Sequence, residues 1–177
     1  MRTLQRGIAG TRIGAVEVNS VALPARARST RPLHAILFGG TICGVMDITA
    51  AFLVYGLFGL KPIPLLQSIA AGLLGPRASA GGLSTAALGL FCHFLIAFSA
   101  TAVYFAASRR FSFLLRQPAA SGVLYGIAVY FFMRWIVVPL SAAKSGPFSF
   151  KMTAIGLIIH IICVGWPIAF TIRRFSA

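Results

Sequence analysis

Four long apolar blocks, separated by short polar or basic connections, organise this chain: residues 34–59, 83–107, 119–140 and 152–172. Each exceeds the roughly 20 residues that an α-helix needs to cross about 30 Å of hydrocarbon. The pattern predicts an all-α, polytopic membrane protein of four transmembrane helices, with the membrane domain over residues 33–174. A fifth apolar stretch, PLLQSIAAGLLG within residues 61–82, is too short to cross. It predicts a helix over about residues 64–75, started by prolines suited to a first helical turn and stopped by Gly75 before Pro76. Two placements stand for it. An interfacial helix covering the mouth of the bundle is favoured over a re-entrant gate, because irregular backbone at membrane depth needs polar partners that this segment does not supply.

Composition agrees with the pattern, since 58% of residues are hydrophobic and 10% charged, which excludes a water-soluble globule. Four spans leave no room for a soluble catalytic domain. Residues 1–32 hold six arginines and one glutamate without an apolar period, and read as a disordered basic arm that binds anionic headgroups. A mitochondrial presequence and a start codon assigned too early are the other readings of that arm.

The net charge of +14 is placed where lipid headgroups are the nearest anions, so the expected partner is the bilayer and not nucleic acid. Arg2, Arg6, Arg12, Arg26, Arg28, Arg31, Arg109, Arg110, Arg116, Arg173 and Arg174 fall on one side, and Lys61, Arg77, Lys144 and Lys151 on the other. Eleven against four puts both termini in the cytoplasm by the positive-inside rule.

A weak internal repeat runs through the spans. Ala87-Leu-Gly-Leu-Phe-Cys-His93 in the second matches Ala154-Ile-Gly-Leu-Ile-Ile-His160 in the fourth, and the first and third each open with G-x-x-x-G, at Gly40 and Gly44 and at Gly122 and Gly126. Tandem duplication of a two-helix hairpin is one reading; chance recurrence of the residues membrane helices are made of is the other. Either way these glycines are candidate helix-packing positions.

Each span carries one ionisable residue well inside it: Asp47, His93, Arg134 and His160. A charge in hydrocarbon is costly, so such residues usually face the bundle interior and serve a pathway, a cofactor or a partner. At about 1.5 Å of rise per residue they lie about 18, 15, 9 and 12 Å below the outer ends of their spans, which predicts one polar layer. Helical spacing places Asp47 on a face with Gly40, Cys43, Gly44, Ala50 and Ala51, His93 with Ala86, Gly89, Ala97 and Ala100, and His160 with Thr153, Gly156, Cys163 and Val164. For Arg134 two placements remain, snorkelling outward beside Trp135 and pairing inward with Asp47. Pro167 predicts a kink close to His160.

Cofactor signals are weak. His93, His160 and Cys163 are the candidate ligands for haem or a soft metal ion, yet neither a C-x-x-C nor any other ligand pair of specific spacing is present, and the expectation is no cofactor. Cys43, Cys92 and Cys163 provide no disulfide framework. Glu17 and Asp47 are the only acids, which removes two-carboxylate acid/base mechanisms and carboxylate-rich magnesium or calcium sites. Without a phosphate loop, G-x-S-x-G or H-E-x-x-H, an enzyme is the less expected outcome.

The run from LLQSIAAGLLGP through GLFCHFLIAFSATAVYF to the second histidine span resembles an uncharacterised family of small four-helix bacterial inner-membrane proteins, over residues 33–174. The resemblance implies four spans and a bacterial inner membrane, and carries over no activity and no site residue. Three functional expectations follow from the residues: a small permease or channel-like protein working through the polar layer, with homo-oligomers allowed; a structural or assembly partner in the membrane; and a haem-binding redox protein.

Overall fold

The computed structural model describes residues 32–143 and 148–176. The basic arm, apart from Pro32, and Lys144 lie outside the described residues. Four helices are long and apolar enough to cross a membrane: Pro32–Leu57, Gly82–Arg110, Pro118–Leu140 and Phe150–Ser176, here the first to fourth spans. The described residues contain no strand, and the protein is an all-α, multi-pass membrane protein.

The helix ends follow from local chemistry. The second and fourth spans outlast their apolar blocks to include Arg109, Arg110, Arg173 and Arg174 in their last turns, where basic side chains suit the negative end of the helix dipole. The third begins with Pro118 in its first turn. The first span ends at Leu57, ahead of Gly59 at φ +83°, a left-handed conformation that glycine adopts without a Cβ clash. A connecting helix, Pro62–Leu74, then starts on two prolines and stops at Gly75 (φ +60°), whose N–H returns to the Ala71 carbonyl. A 3₁₀ segment, Gly75–Ala80, leads into the second span.

The ends of the bundle differ in character. One, the arginine end, gathers Arg109, Arg110, Arg116, Arg173 and Arg174; the other, the lid end, is crossed by the connecting helix. That helix begins beside the end of the first span. It then packs on the second, where a Cβ on Gly89 would strike the Leu66 carbonyl, and reaches the end of the third, where the Ala142 N–H donates to the Gly72 carbonyl at 2.9 Å. Its buried Gln67 donates from Nε2 to the Gly82 carbonyl at 3.0 Å, so the polar side chain placed in the seam is satisfied.

The first span packs on the second and the fourth, and the third on the fourth. In each hairpin the G-x-x-x-G pair meets the partner span. Gly40 and Gly44 admit the rings of Phe98 and Phe94 from the second span, while Gly122 and Gly126 bring the third span against the fourth at Gly165, Trp166, His160 and Ile161. The second and third spans are not a closely packed pair. They are tied near the arginine end by Tyr125, whose hydroxyl donates to the Ala100 carbonyl at 2.6 Å and whose ring meets Tyr104 edge-on at 4.9 Å. Most of the larger fully buried side chains also lie toward that end: Thr101, Tyr104, Ser121, Ile168 and Ile172 have at most 1% exposure.

The third and fourth spans each contain a π turn, at Met133–Val137 and His160–Gly165. In both, an amide N–H reaches back five residues, from Val138 to the Met133 carbonyl and from Trp166 to Ile161. Each turn is followed within two residues by a proline, Pro139 or Pro167. A proline ring inside an α-helix collides with the carbonyl four residues earlier and gives it no donor, and an extra residue in the preceding turn shifts that register. The irregularity expected at Pro167 is therefore a widened turn that opens at His160 itself.

Candidate functional site

Three cavities overlap in the half of the bundle toward the lid end, and His160 borders all of them. The deepest, about 250 Å³, is lined by Cys43 and Asp47 of the first span, His93 of the second, Met133 of the third, His160 of the fourth and Ile69 of the connecting helix. A second, about 350 Å³, shares Asp47, Ile69 and His160 with it and adds Tyr55, Ser68 and Tyr130. The third, about 290 Å³, shares Tyr55, Tyr130 and His160 and extends to Arg134, Ser149 and Thr153. Polar groups thus follow one another from the middle of the first and second spans toward the ends of the third and fourth at the lid.

The two histidines are held differently. The His93 Nε2 lies 2.9 Å from the Gly44 carbonyl across the first pair of spans, and because a carbonyl only accepts, that nitrogen carries the proton and Nδ1 keeps its lone pair. In His160 it is Nδ1 that donates, to the Gly156 carbonyl of its own helix at 2.9 Å, which leaves Nε2 as the acceptor. The Tyr130 and His160 rings meet in a T-shaped contact, with centroids 5.3 Å apart and planes at 81°. Both imidazoles are oriented by backbone carbonyls and both keep one nitrogen able to take a proton.

Asp47, His93 and His160 line one cavity, and Arg134 lines the adjoining one beside His160. Arg134 and Trp135 take opposite settings. The arginine is half-buried on the cavity side, whereas Trp135 is 69% exposed on the outer surface and stacks on Phe131 at 4.4 Å. Cys43 borders these cavities and Cys163 does not, whereas Val164, four residues beyond His160, does. The small-residue face expected for His93 is divided between two neighbours. Ala97 meets the first span near Gly44, and Gly89 receives the connecting helix.

The cavity that holds both histidines is smaller than the roughly 300–1,000 Å³ of ordinary ligand pockets, and the His93 Nε2 is engaged by Gly44. Among the described residues no group of three or more His, Cys, Asp or Glu side chains is arranged to hold a metal ion.

Several lining residues escape a search restricted to ionisable groups. Tyr55 completes the stripe Cys43, Asp47, Ala51, Tyr55 at intervals of four, and Tyr130 stands four before Arg134, so helical spacing from the charged residues finds both. Gly165, which nests against Gly122, has no such marker. A second buried polar cluster lies at the arginine end. The Tyr104 hydroxyl is 2.8 Å from Ser121 Oγ and 3.0 Å from the Leu114 carbonyl, to which Ser121 also donates at 3.1 Å.

No family model, no curated protein and no solved structure matches this chain.

Proposed function

We propose that the protein is a small permease of the bacterial inner membrane, with both termini cytoplasmic, in which Asp47, His93 and His160 form a proton-exchanging layer reached from the lid side. The observation that carries this reading is the overlap of three cavities at His160, running from Asp47 and His93 to Arg134, Ser149 and Thr153. Cavities lined by ionisable groups at membrane depth mark substrate or proton pathways by default. Toward the arginine end the packing of Ala35, Thr101, Tyr104, Ile168 and Ile172 closes the bundle, so the path is open on one side only, as alternating access requires. The π turns of the third and fourth spans, one containing Arg134 and the other beginning at His160, are the places where those spans can change their bend beside the layer.

Protein in liposomes with an imposed pH gradient should pass protons, alone or with a small solute or metal ion, and Asp47→Asn and His160→Gln should each abolish the flux. Wild-type liposomes as tight as empty ones to all three would overturn the proposal. Orientation is tested separately, since alkaline phosphatase fused after Ala177 should be inactive, and activity would place that end in the periplasm. A structural role is the second reading, favoured by the His93 bond to Gly44, which locks the first and second spans together with or without transport.

A further inference from the structure

The second and third spans separate above their tyrosine tie and leave a lateral cleft of about 500 Å³, larger than any of the three polar cavities. Its walls are apolar: Leu95, Ile96 and Val103 on one side, Ala128, Val129 and Phe132 on the other. The two hydroxyls along it are already committed, Ser99 to the Leu95 carbonyl at 2.7 Å and Tyr125 to the Ala100 carbonyl at 2.6 Å. Nothing in the cleft asks for a polar ligand. Between spans at membrane depth, the abundant partner for such a surface is a lipid chain.

The charge at the foot of the cleft narrows the choice of lipid. Val103 lines the cleft near the arginine end, and Arg110 is seven residues further along the same helix, on the same face and about 10 Å away. Arg109 and Arg110 end the second span and Arg116 lies in the short connection to the third, so all three stand where these two spans are joined. All three are exposed. Among the described residues the acid is Asp47, which lines the polar cavities, so no described acidic side chain lies beside this group.

We infer that the cleft is a binding site for one anionic phospholipid, with an acyl chain between the second and third spans and the phosphate on Arg109, Arg110 and Arg116. The chain has a further consequence for the polar layer. Ile96, Ala100, Val129 and Met133 line both the cleft and the cavity that contains Asp47, His93 and His160, so the chain backs the thin wall between that cavity and the bilayer.

Native mass spectrometry of the protein, released from micelles holding equal phosphatidylglycerol and phosphatidylcholine, tests this with two variants. Arg109→Gln/Arg110→Gln/Arg116→Gln changes only exposed side chains, and Ala128→Trp fills the cleft from an exposed position. The wild type should retain one phosphatidylglycerol in preference to phosphatidylcholine. Each arginine near a headgroup is worth about five-fold in lipid affinity, so the triple variant should lose that preference, and Ala128→Trp should lose the bound lipid of either kind. Equal retention of the two lipids by the wild type, or undiminished retention by Ala128→Trp, overturns the inference. So does a lipid-free dimer that Ala128→Trp dissociates, which would make the cleft a contact between two copies of the chain.

Discussion

Replacing Gly126 by alanine should separate the third and fourth spans at the point where His160 enters the polar layer. A Cβ at Gly126 would stand 2.6 Å from the His160 carbonyl oxygen, 2.7 Å from the Ile161 Cα and 2.9 Å from the His160 carbonyl carbon. All three are backbone atoms and none can swing aside. Restoring an ordinary contact of about 3.4 Å requires the helices to part by about 0.8 Å, and close-packed interiors resist such displacement. Overpacking of this kind costs roughly 1–3 kcal/mol, while the Gly→Ala change itself stabilises a helix by about 0.4–1 kcal/mol. The net expectation is a loss of about 1–2 kcal/mol. Gly56, near the end of the first span with nothing within 4 Å of its Cβ position, is the control, and Gly56→Ala should gain up to about 1 kcal/mol. Reversible unfolding in mixed dodecylmaltoside and dodecyl sulfate micelles, followed by circular dichroism, measures both. The two identical changes should differ in sign. If Gly126→Ala is neutral or stabilising, backbone contact between these spans is not what the glycine serves.

Three further outcomes follow from named contacts. His93→Ala should lower stability by about 0.6 kcal/mol, and by no more than about 1.7, the range of interhelical hydrogen bonds in membranes, with partial recovery in His93→Gln; no change would mean that the bond to Gly44 is not formed. Tyr104→Phe and Ser121→Ala should each cost about 1 kcal/mol, and the double variant less than their sum, because the bond between the two hydroxyls is lost in either single variant and can be lost only once; strict additivity would show that the two act separately. In a background with Cys43, Cys92 and Cys163 replaced by alanine, Ser149→Cys and Thr153→Cys should react with a membrane-impermeant thiol reagent and Ile172→Cys should not; labelling of Ile172→Cys would show that the arginine end is open.

The spans and the connecting helix were determined by the sequence itself, because crossing hydrocarbon demands an uninterrupted apolar helix and leaves composition little freedom. Prolines at positions 62 and 118 and the glycine at position 75 mark helix ends by local stereochemistry alone, so these too were legible. Helical spacing also gave the stripe through Asp47, since a period of 3.6 residues is a property of one helix. What one helix cannot contain is which neighbour each face meets. That Gly89 receives the connecting helix, that Gly165 nests on Gly122, and that the second and third spans part to leave a cleft were decided by tertiary packing, where the shapes of four surfaces are fitted at once. The π turns lie between these cases. Pro139 and Pro167 announce an irregularity in the sequence, but an interior proline can be met by a kink, a break or a widened turn. Only the neighbouring helices select among them, and here the outcome is a widened turn that starts at His160.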